Sequence, residues 1–291
     1  MKTLTPILIL MSVSIVHAQN KSKTHNLDCM LCSKDNHENS QPYKIKFKKE
    51  IPYLTTGVIL TSVALFAESN NPIQPYSKEQ VSALDRSNVN SFDRRATYNW
   101  SPSAHKASNI LISTATFLPI VFIANHHLRS DLIPLSVMSI EVLMINFGAT
   151  ILMKNIVNRA RPLTYNTVVP LEERTNATSR ESFFSGHASH TTAASIYFAK
   201  VVSDYHPDMR KGLKIALWTT MTTLPALTAY LRVRAGRHFP TDVIVGYLVG
   251  ASIGYFVPHL HKLQTRKKDS KVSVFPNVGP GSATLNMRIK L

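Results

Sequence analysis

The chain has 291 residues, with 33 lysines and arginines against 17 aspartates and glutamates, a formal net charge of +16 at pH 7. That length allows one or two domains with a sizeable core, and a hydrophobic content of 44% excludes disorder of the whole chain. Two cysteines exclude a disulfide scaffold or a cysteine-rich zinc module. The mean hydropathy of −0.04 is that of a soluble protein, but it averages over strongly segregated segments.

Residues 1–18 read as a secretory signal. Lys2 supplies the positive start, Leu4–Val16 the apolar run, and Val16-His17-Ala18 a small-residue cleavage site. Residues 19–49 form a polar linker that turns basic at Lys44, Lys46, Lys48 and Lys49. Its Cys29 and Cys32 have no further ligands nearby and read as a local disulfide. The region 50–262 then holds six apolar stretches: Ile51–Ala67, Asn109–Ala124, Leu132–Met153, Ala188–Ser203, Ile215–Leu231 and Val243–Pro258. Their only Lys, Arg, Asp or Glu residues are Lys200 and Glu141. A helical span needs roughly 17–25 apolar residues, and several stretches lie at the short end. The expected fold is all-α, a six-helix membrane bundle, with a soluble helical bundle as the alternative. Gly246, Gly250 and Gly254 recur every fourth residue, which lets a neighbouring backbone approach closely. The tail 263–291 is basic, then alternates in polarity from Ala283 to Leu291 after Gly279-Pro280-Gly281. That period predicts a short β-hairpin.

Basic loops set an expected topology. With six spans and a cytoplasmic N-terminus, Lys44–Lys49, Arg129, Arg210, Lys211, Lys214 and the Lys262–Lys271 cluster all fall inside. A cleaved signal would invert this, so either residues 1–18 are not processed or Ile51–Ala67 does not cross fully. The loop Glu68–Lys106 is long for a connection in a compact domain. It is expected on the active-site side, with Asp93, Arg94, Arg95 and Trp100 available for headgroup contact. His126, His127, His259 and His261 are expected at the interface.

Three polar islands interrupt the helices: Lys154–Pro162, Ser182–His187 and Arg232–Asp242. Span parity brings all three to one face. Lys154, Arg161 and Arg232 offer fixed positive charge, and arginine binds phosphate bidentately. Ser185-Gly186 opens a helix whose free N–H groups and dipole favour an anion. His187 and His238 can divide nucleophile and general-acid work, and Asp242, four residues on, can orient His238. Each element also has a plainer reading: an interfacial basic loop, a helix cap, or His187 and His190 as zinc ligands lacking a third.

The order Lys-x6-Arg-Pro, Ser-Gly-His, Arg-x5-His-x3-Asp resembles the signature of the type 2 phosphatidic acid phosphatase (PAP2) superfamily, which also includes bacterial acid phosphatases and vanadium haloperoxidases. The resemblance covers about residues 50–262. It implies a PAP2-type helical bundle and metal-independent phosphate hydrolysis, with His238 attacking phosphorus, Asp242 orienting it and His187 protonating the leaving oxygen. Lys154, Arg161, Ser185, Gly186 and Arg232 would hold the phosphate oxygens. Phe184 stands where proline commonly precedes Ser-Gly-His, and Leu231 where serine commonly precedes the arginine; both bear on substrate choice. The expected partners are the membrane and a lipid phosphate, with the site facing the periplasm or exterior. Nucleic acid is not needed to explain the charge. The alternatives are a soluble periplasmic acid phosphatase or vanadate-dependent peroxidase on the same scaffold, and a non-enzymatic basic membrane protein that binds anionic lipid.

Overall fold

The computed structural model describes residues 42–43, 47–269, 272–279 and 282–289. The expected signal segment and most of the linker, including Cys29 and Cys32, lie outside the described residues. The helices of sixteen or more residues are α1 (Phe47–Asn70), α2 (Pro102–Phe117), α3 (Leu132–Val157), α4 (Gly186–Tyr205), α5 (Lys211–Arg234) and α6 (Pro240–Asp269). Short helical turns fill the connections, and strands β1 (Val272–Gly279) and β2 (Ser282–Ile289) pair antiparallel, with Val272 opposite Ile289.

Local sequence sets the helix ends that carry the polar islands. α3 stops at Asn158, whose left-handed backbone (φ 47°) turns its N–H onto the Lys154 carbonyl at 2.9 Å. The chain therefore leaves the helix just before Arg159 and Arg161. Ser185 caps α4, its hydroxyl accepting the Ala188 N–H at 3.3 Å. At α6, Pro240 takes the first helical position, and the Asp242 carboxylate accepts the Phe239 N–H at 2.8 Å.

α4 is the axial helix, packed against α6, α5, α3 and α2, while α1 lies on α3. Its buried side includes Ser189, Thr191, Thr192 and Ser195. Large apolar side chains instead face outward on the surrounding helices, among them Phe66, Phe117, Phe147, Leu227, Leu248 and Phe256. Such an outer apolar belt marks a surface made for lipid rather than water. The glycine ladder of α6 meets α4 directly. A Cβ at Gly246, Gly250 or Gly254 would stand 2.7, 2.1 or 2.4 Å from the carbonyl oxygens of Ser185, Ser189 and Ala193. These glycines hold the N-termini of α4 and α6 side by side, and both ends carry polar islands.

Among the described residues, three segments are long and apolar enough to cross a membrane: Pro102–Ala124, Leu132–Tyr165 and Pro240–Lys262. The six-span expectation is thus met by three at this measure, because α4 is rich in buried hydroxyls and α5 in threonine. The larger core gathers at the end away from the islands, around Tyr43, Phe122, Leu135, Met138 and Tyr197. There His261 is buried rather than interfacial, its Nε2 lying 3.3 Å from the Glu141 carboxylate across α3 and α6.

Candidate active site

Backbone hydrogen bonds stitch the three islands together. The Ser182 N–H donates to the Arg159 carbonyl at 2.9 Å, the Ser185 N–H to the Asp242 carbonyl at 3.1 Å, and the Leu163 N–H to the Gly236 carbonyl at 2.9 Å. Gly236 has φ 68°, and a Cβ there would stand 2.3 Å from the Asn99 carbonyl oxygen, so glycine lets the loop before α2 press onto the third island.

His238 sits between α5 and α6 and is 2% exposed. Its Nδ1 lies 2.7 Å from the Ser182 carbonyl oxygen. A carbonyl only accepts, so Nδ1 carries the proton and Nε2 keeps its lone pair. Burial, then the charges of Arg232, Arg161 and Lys154, hold the imidazole pKa well below its ordinary value. The ring is neutral at physiological pH, the form in which a histidine is nucleophilic.

The expectation that Asp242 orients His238 directly is corrected. Its Oδ2 is 3.9 Å from Nδ1, too far for a hydrogen bond. Four-residue spacing aligns two side chains only within a helix, and α6 begins at Pro240, after His238. Asp242 instead accepts from Arg159 Nη1 at 2.6 Å, from Ser182 Oγ at 2.5 Å and from the Phe239 N–H at 2.8 Å. It fixes the residue whose carbonyl holds His238, and so acts one step removed.

Arg159, given no role from sequence, is central to this arrangement. Besides Asp242 it reaches Thr241 Oγ1 at 2.9 Å and Asp93 Oδ2 at 2.8 Å, and its guanidinium lies over the Phe239 ring, 4.3 Å from the centroid. Asp93 is fully buried, so it is no headgroup contact. Arg94 is likewise turned back, onto the Val89 and Ser87 carbonyls of its own loop.

The phosphate-type cations are present at the same end. Arg161 and Arg232 are 7% and 2% exposed, and the Nε of each is buried without a hydrogen-bond partner. An unmet buried donor costs about 1–3 kcal/mol, a cost that an incoming anion relieves. Lys154 Nζ pairs with Glu181 at 3.2 Å, and Arg237 with Glu173 at 3.0 Å. Ser185 serves as the α4 cap, its hydroxyl oxygen accepting the Ala188 N–H, and Gly186 opens the first turn, whose backbone amides have no acceptor within the helix. His187 is engaged by α2: Asn109 Oδ1 lies 2.9 Å from its Nε2. His105, one helical turn earlier, accepts from Arg232 Nη1 at 2.8 Å through Nδ1. Sequence reasoning missed both residues, since Asn109 read as the start of an apolar stretch. Their spacing of four at a helix start was the available signal. His190 is bonded to Thr116 at 2.9 Å rather than paired with His187. Phe184 is buried at 2% exposure, its ring edge-on to that of Phe183.

Residues 132–266 match the sequence model of the PAP2 superfamily. That stretch contains all three islands, and its match is to the superfamily that their order suggested. A comparison with curated proteins gave no match. Among solved structures, the chain is similar to a transmembrane PAP2 type phosphatidylglycerolphosphate phosphatase from Bacillus subtilis, at 16% identity and a TM-score of 0.40, with 77% of this chain and 99% of that chain covered.

Proposed function

We propose that this protein is a membrane phosphatase that removes a phosphate from a lipid phosphate monoester or diphosphate through a phosphohistidine intermediate. The observation that carries this reading is the state of His238: neutral, with Nδ1–H held by the Ser182 carbonyl and Nε2 free, beside the buried donors of Arg161 and Arg232. In the first half-reaction Nε2 attacks phosphorus and the bond to the leaving oxygen breaks; His187, which burial and the charges of Arg232, His105, Arg161 and Lys154 hold neutral until a phosphate dianion binds beside it, gives that oxygen the proton it takes up with the substrate. In the second, His187 takes a proton from water, the water oxygen attacks phosphorus, and the phosphorus–nitrogen bond breaks to release inorganic phosphate. Arg161, Arg232, Lys154, Ser185 and the Gly186 amide hold the phosphoryl oxygens as charge redistributes.

Lipid is favoured over a soluble ester because the site lies at the ends of apolar helices whose outer faces carry exposed apolar side chains, so that helices crossing a bilayer would bring it to the headgroups. The proposed topology is multi-pass, with the site away from the cytoplasm; Arg129, Arg210, Lys211 and Lys214 lie at the helix ends opposite the islands, as the positive-inside rule prefers. The test is phosphate release by purified protein against a panel of lipid phosphates and diphosphates, with His238→Ala as blank. Release by the wild type alone supports the reading. Equal release by the variant rejects the mechanism, and no release from any lipid phosphate rejects the phosphatase.

A further inference from the structure

The loop between α1 and α2 is joined to the nucleophile by a continuous chain of contacts. It begins at Asp93, which has no exposed surface. One carboxylate oxygen accepts the Thr241 N–H at 3.0 Å; the other accepts from Thr241 Oγ1 at 2.6 Å, Asn90 Nδ2 at 2.8 Å and Arg159 Nη2 at 2.8 Å. Arg159 passes the link to Asp242 at 2.6 Å, Asp242 to the Ser182 hydroxyl at 2.5 Å, and the Ser182 carbonyl holds His238 Nδ1 at 2.7 Å. Beside this chain, Val89 and Ala96 of the loop bury against Phe239, the residue after His238. Further along, Asn99 Nδ2 donates to the Val233 carbonyl at 3.0 Å. The loop is therefore docked on the third island by polar and apolar contacts together.

We propose that Asp93 is a positioning residue for the phosphatase reaction, holding Arg159 so that Asp242 and Ser182 fix the orientation and tautomer of His238. This rests on His238 being the nucleophile. Arg159 lies between two carboxylates, and each limits where the other can draw it. Without the Asp93 charge, Arg159 is free to shift toward Asp242, and Thr241 loses both of its contacts to Asp93. Asp242 and Ser182 then move with it, and the His238 ring loses its fixed acceptor. Asp93 touches no reacting atom in this account, so the effect falls on the chemical step rather than on substrate affinity.

The experiment compares wild type, Asp93→Asn, Arg159→Gln and the double variant, as full-length protein in detergent, releasing phosphate from a short-chain phosphatidate. Asp93→Asn is expected to lower kcat by about 10–100-fold, the scale of a misplacement near 1 Å, with KM within about twofold. The double variant is expected to be no slower than Arg159→Gln alone, as for two members of one chain. A kcat within twofold of wild type, a loss confined to KM, or losses that multiply would overturn the proposal. If Asp93→Asn does not fold, Asp93→Glu keeps the charge and is expected to fold with an intermediate kcat; wild-type kcat or none at all would count against the proposal. Independently of turnover, nitrogen-15 spectra of labelled histidine read the His238 tautomer. A pure Nδ1–H form in wild type and a mixture in Asp93→Asn support the inference, and an unchanged tautomer contradicts it. Wild-type protein that releases no phosphate from any lipid phosphate or diphosphate of the panel would sink the phosphatase reading, while the tautomer comparison would still decide the role of Asp93.

Discussion

Replacing Gly250 by alanine adds one methyl group where α6 crosses α4. The new Cβ would stand 2.1 Å from the Ser189 carbonyl oxygen and 2.9 Å from the Ser189 Cα, both backbone atoms that cannot rotate away. Ordinary contact begins at 3.4 Å, so the two helices must part by about 1.3 Å at this level. Overpacking of this kind costs about 1–3 kcal/mol, and close backbone approach at small residues is a main source of helix association in lipid. The displacement also reaches the site, because α4 begins with Ser185–His187, α6 begins beside His238, and the Ser185 N–H donates to the Asp242 carbonyl at 3.1 Å. A shift near 1 Å at reacting groups costs on the order of 100-fold in rate. Phosphate release and thermal unfolding of the purified variant measure both effects. Gly212→Ala is the control, since a Cβ there meets nothing within 4 Å, and it should keep both activity and Tm. Wild-type activity and Tm in Gly250→Ala would refute the claim that this helix contact sets the site geometry.

Two further predictions concern the histidines. Asn109→Asp places a carboxylate against His187 Nε2, 2.9 Å from the present amide oxygen, and favours the protonated ring; the alkaline limb of kcat should move to higher pH, and an unmoved limb would dismiss the contact. The low pKa of His238 also predicts a pH dependence of stability. The unfolded ring takes up a proton below about 6.5 while the folded ring stays neutral, so this contribution is full above that pH and declines as pH falls through it. Between pH 7.5 and 5.5 the wild type should therefore lose more in Tm than His238→Asn, and equal losses would contradict a suppressed pKa.

Much of this site could be read from sequence because its parts sit at helix ends. Lys154 and Arg161 flank the end of α3, Ser185 and His187 the start of α4, and Arg232 and His238 the turn from α5 to α6, so motif order and span parity brought them to one face. The glycine repeat of α6 likewise announced a close helix contact, which falls on α4. What sequence could not supply was the docking of loops. Asp93 is far from Arg159 and Thr241 along the chain, and its burial depends on the tertiary contact of Val89 and Ala96 with Phe239. His105 and Asn109 escaped for a related reason, since their spacing of four at a helix start gains meaning only once the neighbouring helix is known. The role of Asp242 was misread because regular spacing was applied across Pro240, where the helix has not yet begun. Apolar composition alone counted six stretches, of which three reach the length and hydropathy of a span among the described residues; α4 has the length of one, but hydroxyl-bearing residues on its buried face lower its hydropathy.

The phosphohistidine mechanism turns on whether His238 carries phosphate during turnover. Acid-sparing quench of the wild type during a single turnover of a short-chain lipid phosphate, followed by peptide mass spectrometry, reads this directly. Covalent catalysis by His238 predicts a phosphoryl group on this residue that forms before inorganic phosphate appears, and its loss together with phosphate release in His238→Ala. Phosphate release with His238 unmodified throughout, undiminished in His238→Ala, would contradict it.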